Sequence, residues 1–301
     1  GGGAGPGGGS TWGTARTVTD FLNLARIWSL DNWGEDLIAC PRDGGIYAWD
    51  ASTGVGTRAV AVSGAPTSAK AILVSDENRH LVALGAHDGS VADPMLVRWS
   101  SAEDYTAWTP SDLNTAGEKR LDGGKELYCG IKTKGETVVF SDARLWSMTF
   151  DGPPYTFGWS PKGSAMGIRG PNAAKEFNGA VFWMGAKDFI VYDGSVRILP
   201  CDVTPTIFTT DDDNPGINED QGAMVFAGAN RDFGEVWWVY PSAESDECDR
   251  YVLYNVTEQT WSFGELARTV YIGDSDTFGK PYAFGADGYL YDHENGLDAN
   301  G

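Results

Sequence analysis

Of the chain's 301 residues 42% are hydrophobic, and 12 Trp, 12 Tyr and 13 Phe supply ample core material, so this is not a disordered sequence. Forty-two acids against 22 bases leave a net charge of −20. That balance argues against a protein that grips nucleic acid through its phosphates, which requires clustered Lys and Arg.

Residues 1–10 hold seven glycines and one proline. They cannot bury surface and read as a flexible arm or linker, leaving 11–301 as one domain. Residues 19–28 fit a turn or two of helix or, equally, a strand. From residue 37 onward a two-strand cassette recurs six times: 37–40 with 44–50, 80–84 with 95–100, 137–142 with 145–148, 180–184 with 189–194, 235–240 with 250–255, and 282–284 with 288–292. Each second strand carries an aromatic at or near its end: Trp49, Trp99, Trp146, Tyr192, Tyr254 and Tyr291. These lie 50, 47, 46, 62 and 37 residues apart, close to the period of about 40–50 that marks propeller blades.

One hairpin fills only part of such a period, and the remainder has room for two further strands and a crossover. The expected fold is therefore all-β, a β-propeller of about six four-stranded blades, an arrangement that hides sheet edges. A β-sandwich with hairpins spaced by chance is the alternative, but a sandwich usually saturates at fewer strands than this length supplies. The forty glycines and 14 prolines suit a chain of short strands and tight turns. Because the six closing aromatics occupy one recurring slot, they read as packing between blades rather than as sugar-stacking platforms. Trp237 and Trp238 are neighbours, so in a strand they point to opposite faces, and both faces should be covered.

Cys40, Cys129, Cys201 and Cys248 are scattered, with no CxxC pair. They read as buried thiols rather than a disulfide framework, which points to folding in a reducing cytoplasm. Neither a signal-peptide pattern nor an apolar run of about 20 residues is evident, so no membrane insertion is expected.

The motifs of catalysis are missing. The three histidines His80, His87 and His293 form no HExxH or Cys/His cluster, and His80 and His87, flanking one short strand, read as surface polar residues. No GxSxG is present. Gly123-Gly124-Lys125 lacks the earlier Gly and the following Ser/Thr of a phosphate loop and reads as a turn. Asp211-Asp212-Asp213-Asn214-Pro215-Gly216 starts like a calcium loop, but Pro215 has no ligand oxygen on its side chain and Gly222 stands where a bidentate Glu is needed. An exposed acidic loop is the better reading than a looser calcium site from Asp211, Asp213 and Asp220. Carboxylate pairs that would suit a glycosidase occur throughout, with nothing to single one out. No catalytic residue, metal or cofactor is expected. The acid excess is uneven: between residues 202 and 249 there are twelve acids against one base, Arg231, so this stretch carries more than half of the net charge.

Several segments resemble a family of tailed-bacteriophage virion proteins. They are Trp28-Ser29-Leu30-Asp31-Asn32-Trp33-Gly34-Glu35-Asp36-Leu37, Asp93-Pro94-Met95-Leu96-Val97-Arg98-Trp99-Ser100, Gly170-Pro171-Asn172-Ala173, Glu235-Val236-Trp237-Trp238-Val239-Tyr240-Pro241-Ser242, Asp249-Arg250-Tyr251-Val252 and Asp287-Gly288-Tyr289-Leu290-Tyr291. They occur in order from about residue 28 to the end and are similar to those of the tail hub or nozzle proteins of short-tailed phages, also called packaged-DNA stabilisation proteins. The resemblance implies a propeller subunit of a homo-oligomeric ring, usually sixfold, below the portal and adaptor and in contact with other tail proteins. Such a protein is made in the bacterial cytoplasm and resides in the virion tail. A conduit wall of like charge would leave passing double-stranded DNA no binding minimum, which makes Asp211, Asp212 and Asp213 the first candidates for lumen-facing acids. The alternative expectation is a carbohydrate-binding or carbohydrate-cleaving propeller that recognises a receptor.

Overall fold

Six antiparallel sheets succeed one another along the chain in the computed structural model, which describes residues 27–87, 92–164, 167–211, 214–273 and 279–295. Blade 1 is β1 (Trp28–Trp33), β2 (Asp36–Pro41), β3 (Tyr47–Trp49) and β4 (Val60–Ala61). Blade 2 is β5 (Ala71–Val74), β6 (Leu81–Leu84), β7 (Leu96–Trp99) and β8 (Gly117–Arg120). Blade 3 is β9 (Leu127–Thr133), β10 (Glu136–Ser141), β11 (Arg144–Gly152) and β12 (Thr156–Ser164). Blade 4 comprises β13 (Ala174–Phe177), β14 (Ala180–Met184), β15 (Phe189–Tyr192) and β16 (Val196–Ile198). A short helix, α1 (Thr204–Phe208), precedes blade 5: β17 (Phe226–Asn230), β18 (Glu235–Tyr240), β19 (Arg250–Asn255) and β20 (Thr260–Glu265). Blade 6 comprises β21 (Val270–Ile272), β22 (Tyr282–Phe284) and β23 (Leu290–Asp292).

Each sheet pairs its strands in simple meander order, and the first strands touch in sequence, β1 with β5, then β9, β13, β17 and β21. The protein is a six-bladed β-propeller whose sixth blade has three strands among the described residues. Meander order fixes the two ends of the barrel. The crossovers between blades and the turns joining second to third strands lie at one end, here the crossover end. The remaining hairpin turns lie at the other, the turn end.

The predicted cassettes are the second and third strands of the blades. These strands are covered on both faces by neighbouring blades, so they read as continuous apolar runs: β6 and β15 are buried at every residue. The outer strands β4 and β8 are largely exposed. Inner edges near the axis are satisfied by side chains of the preceding blade: Ser29 Oγ accepts the Ile72 amide at 2.9 Å and Asp31 Oδ2 accepts that of Val74 at 2.8 Å. A buried amide left without such a partner would cost about 1–3 kcal/mol.

All six closing aromatics stand on third strands, and five face the preceding blade position. Tyr192 reaches back to blade 3, where its hydroxyl donates to Glu136 Oε1 at 2.7 Å. Tyr254 meets Phe182 of blade 4, with centroids 6.2 Å apart. Trp146 is on the same face, packed in the cluster shared with blade 2, but pairs with Val139 where its counterparts pair with the second residue of β2, β14, β18 and β22. Met148, opposite Thr137, takes the equivalent slot. Trp99 departs further. It packs on Phe157 and Trp159 of the following blade, because Arg98 takes the residue position that faces back and a one-residue offset in a strand reverses the face. The expectation of six equivalent positions is corrected at these two.

Trp28 opens β1, which corrects the helical alternative for the end of 19–28; residues 19–26, like the arm 1–10, lie outside the described residues. Trp237 and Trp238 do face opposite ways. Trp237 stacks on Tyr271 of blade 6 at 4.9 Å, and Trp238 packs on Phe189 of blade 4 at 4.9 Å, with its Nε1 donating to Ala173 O at 3.1 Å. Both partners belong to neighbouring blades.

Candidate functional site

The long crossover from β16 to β17 and the β18–β19 turn both carry acids and both lie at the crossover end. They are stitched together by the Ile217–Ser242 bridge, by Asn218 N to Pro241 O at 2.9 Å, by Asn218 Nδ2 to Ser245 O at 2.9 Å, and by Ala243 N to Gly216 O at 3.1 Å. This brings Asp202, Asp211, Glu219, Asp220, Glu244, Asp246, Glu247 and Asp249 to one end of the propeller around blade 5, all but Asp249 exposed. Asp232 and Glu235 of the same stretch sit at the turn end. Asp212 and Asp213 lie outside the described residues, and Asp211 closes a small loop by donating its backbone N–H to the Asn214 carbonyl at 2.8 Å.

Charge pairing differs along this rim. Over blades 1 to 3 the acids meet bases: Arg42 and Lys70 both reach Glu126 Oε2, at 3.1 and 3.0 Å, and Lys70 also reaches Asp43 at 2.8 Å. Arg144 pairs with Asp122 and Arg120 with Asp93, each at 2.7 Å. Around blade 5, Glu219 takes Arg169 at 2.5 Å, while Asp202, Asp220, Glu244, Asp246 and Glu247 have no ion pair among the described residues. Such a patch sets a negative potential that repels anions within a Debye length, about 8 Å at physiological salt.

The turn end shows the opposite texture. A wide cleft of about 530 Å³ is lined by Asp76, Lys132, Thr133, Lys134, Glu176, Asn178 and Gly179. Lys132 is engaged inside it by Asp31 at 3.2 Å and Asp76 at 3.3 Å. The charges there are mixed, so the cleft presents no single sign to a ligand.

His80 is a correction: it is fully buried, not on the surface. It packs edge-on against Phe157 at 5.1 Å and shares a 3.0 Å hydrogen bond with Thr115 Oγ1. Burial pulls its pKa below the ordinary histidine value. His87 is half-buried and bonds to Thr67 Oγ1 through Nδ1 at 3.0 Å. His80 and His87 stand at opposite ends of β6, and among the described residues no three His, Cys, Asp or Glu side chains gather as a metal-binding group. All four cysteines are free, three of them buried. Burial pushes the thiols of Cys40, Cys129 and Cys248 up to about 12. Among the described residues no helix is long and apolar enough to cross a membrane.

One feature had no signal in the sequence: a seam between blade 6 and blade 1 that is open among the described residues. Ser29 and Asp31 point to blade 2, so Trp28 and Leu30 face the other way, and they are 47% and 59% exposed. On blade 6 Tyr271 faces Trp237, so Phe284 and Leu290, paired with each other and with Val270, face outward; they are 42% and 49% exposed. Trp49, on the blade 1 side of the seam, is half-buried and Tyr291 of blade 6 is half-buried too.

No protein-family model and no curated protein matches the chain. The overall fold is shared with solved structures of low sequence identity. A computationally designed protein, Ika8, is 13% identical with a TM-score of 0.50 over 87% of this chain and 69% of its own. A fungal alcohol oxidase in complex with copper is 12% identical, with a TM-score of 0.53 over 86% of this chain and 58% of its own. An extracellular domain from B. thetaiotaomicron is 10% identical, with a TM-score of 0.54 over 90% of this chain and 32% of its own. At such identities the likeness concerns the fold alone.

Proposed function

We propose that this chain is a structural, non-catalytic subunit of a tail hub or nozzle ring of a short-tailed phage, resident in the virion. The observation that carries the reading is where the resembling segments fall. They form the β1–β2 hairpin, the approach to β7 and β7 itself, the approach to β13, β18, the start of β19 and the approach to β23. They are therefore spread over the framework of five blades instead of converging on one pocket, as expected when the shared property is a shape that assembles. In this reading six copies form a ring beneath the portal and adaptor, other tail proteins attach to it, and double-stranded DNA passes through without adhering.

The uncompensated acids at the crossover end suit that role. DNA carries one negative charge per about 1.7 Å of duplex axis, and a wall of like charge offers it no resting point. The burial of Trp99, Trp146, Tyr192 and Tyr254 leaves these aromatics to blade packing rather than to a sugar platform. Native mass spectrometry and negative-stain imaging of the purified protein test the proposal: a closed homomeric ring, sixfold by the resemblance, is expected. A monomer at micromolar concentration that binds or cleaves glycans would overturn it in favour of a carbohydrate-directed propeller. Replacing Asp211, Asp212 and Asp213 together with Lys is expected to slow genome ejection and leave assembly intact. Unchanged ejection would remove these residues from the lumen.

A further inference from the structure

At the turn end, the β5–β6 turn of blade 2 and the face that blade 3 presents to it enclose a cavity of about 80 Å³. A single water needs only about 10–15 Å³, so a group of several heavy atoms fits. The cavity adjoins the wide cleft and shares Asp76 and Thr133 with it, but its wall has another composition. Met148, Phe150 and Phe157 of blade 3 make an apolar floor, the two phenyl rings standing edge to face at 6.0 Å. Asp76 and Glu77 are exposed at the mouth.

Thr137 is the unsatisfied group of this wall. It lies opposite Met148 in the β10–β11 pair and therefore on the same face. It is 7% exposed, and its hydroxyl has no hydrogen-bond partner among the described residues. The other two hydroxyls of the wall are taken. Ser75 Oγ donates to Glu77 O at 3.0 Å and accepts the His80 amide at 2.9 Å, and Thr133 Oγ1 donates to Gly179 O at 2.8 Å. A buried hydroxyl without a partner is unfavourable, so an arriving donor is favoured there.

Charge selects the donor. Glu136 borders the cavity, but one residue before Thr137 its side chain faces blade 4, where Ser147 and Tyr192 hold the carboxylate. Lys132, opposite Thr137, divides its ammonium between Asp31 at 3.2 Å and Asp76 at 3.3 Å. Glu77 has no ion pair among the described residues, so acids outnumber bases around the mouth and an anion is repelled. A hard metal ion is a poor match, because it takes six or more oxygens and much of this wall is thioether and phenyl. A primary ammonium on a short alkyl chain matches both halves: N–H donors for hydroxyl and carboxylate, methylenes for the floor.

We infer that this cavity is a binding site for a primary alkylammonium group, with Thr137 as its buried acceptor and Glu77 as its counter-charge. A free alkylamine and a lysine side chain of another protein both offer that group.

Methyl NMR of the full chain, with its five methionines labelled at the methyl carbon, tests this, and Met148→Leu identifies the Met148 signal. Titration with n-butylammonium should shift that signal saturably at millimolar concentration and leave the Met184 signal in place. Thr137→Val keeps the shape and loses the hydroxyl; it should weaken binding about tenfold. Glu77→Gln, a change at an exposed turn, should weaken it about threefold. 1-Butanol, of the same length and uncharged, should shift nothing. Nα-acetyl-lysine methylamide separates the sources: tighter binding than n-butylammonium assigns the cavity to a lysine side chain, and equal or weaker binding to a free amine. No shift with either ammonium, an equal response to 1-butanol, or an affinity unaltered in either variant overturns the inference.

Discussion

The seam between blades 4 and 5 and the seam between blades 6 and 1 end in different states. At the first, Phe189, Trp238, Tyr254 and Trp261 interlock with centroids 4.6 to 6.2 Å apart. At the second, Trp28, Leu30, Phe284 and Leu290 meet water. Tyr254 and Trp49 occupy equivalent slots, each opposite the second residue of its blade's second strand, yet Tyr254 is 7% exposed and Trp49 half-buried. The slot is a place in the blade. Whether it becomes core depends on the neighbour that covers it.

This comparison is open to experiment. The largest effect is expected from Trp238→Ala, which removes a fully buried indole and should cost about 3–5 kcal/mol in urea unfolding. A loss below about 1 kcal/mol would show that the closed seam is not where the stability lies. The same-slot pair sharpens the point: Tyr254→Ala should cost about 3 kcal/mol and Trp49→Ala about 1. Equal losses would mean that the two seams are covered alike.

A third effect follows from His80, held in the packing between blades 2 and 3. Burial lowers its folded pKa, so the unfolded chain binds the proton more readily. The stability from neutral His80 is present above about pH 6.5 and is lost as pH falls below it, by at most about 1.4 kcal/mol per pH unit. His293, also depressed by burial, acts in the same direction. Urea midpoints between pH 7.5 and 5.5 should therefore fall less steeply in His80→Gln, and least in His80→Gln with His293→Gln. An unaltered slope would place the acid sensitivity elsewhere. The smallest effect, about 0.5 kcal/mol, is expected for Leu30→Ser at the open seam. A loss rivalling that of Trp238→Ala would abolish the contrast between the seams.

The legible part of the fold was the middle of each blade. Strands such as β6 and β15 are sandwiched on both faces, so their apolar runs carry the signal that periodicity detects. Innermost strands such as β1 and β13 were hidden because polar and apolar residues mix along them. The outer strands were hidden because solvent imposes no pattern on Glu118, Lys119 or Arg120. Trp99 misled because its type and spacing match the repeat while its face does not: a single-residue offset is invisible to a period of about fifty. Of the candidate site, the acid excess between 202 and 249 could be counted along the chain. Its gathering at one end could not, since it depends on the contact of Ile217 with Ser242, made across two separate loops, and on Asp232 and Glu235 being carried to the far end by β17 and β18.

The buried thiols have a practical side. With Cys40, Cys129 and Cys248 held near a pKa of about 12, the thiolate that attacks maleimides or peroxide is scarcer at neutral pH by roughly a thousandfold than for an ordinary exposed cysteine. Cys201 is shifted in the same direction. These three thiols are thus nearly silent to alkylating dyes and slow to oxidise, and half-buried Cys201 carries the remaining reactivity. With Cys201 replaced by Ser, a single cysteine introduced on the rim, at Asp246 for instance, would take a fluorophore against little background, and the distances between such labels in neighbouring copies would report the diameter of any assembly the protein forms.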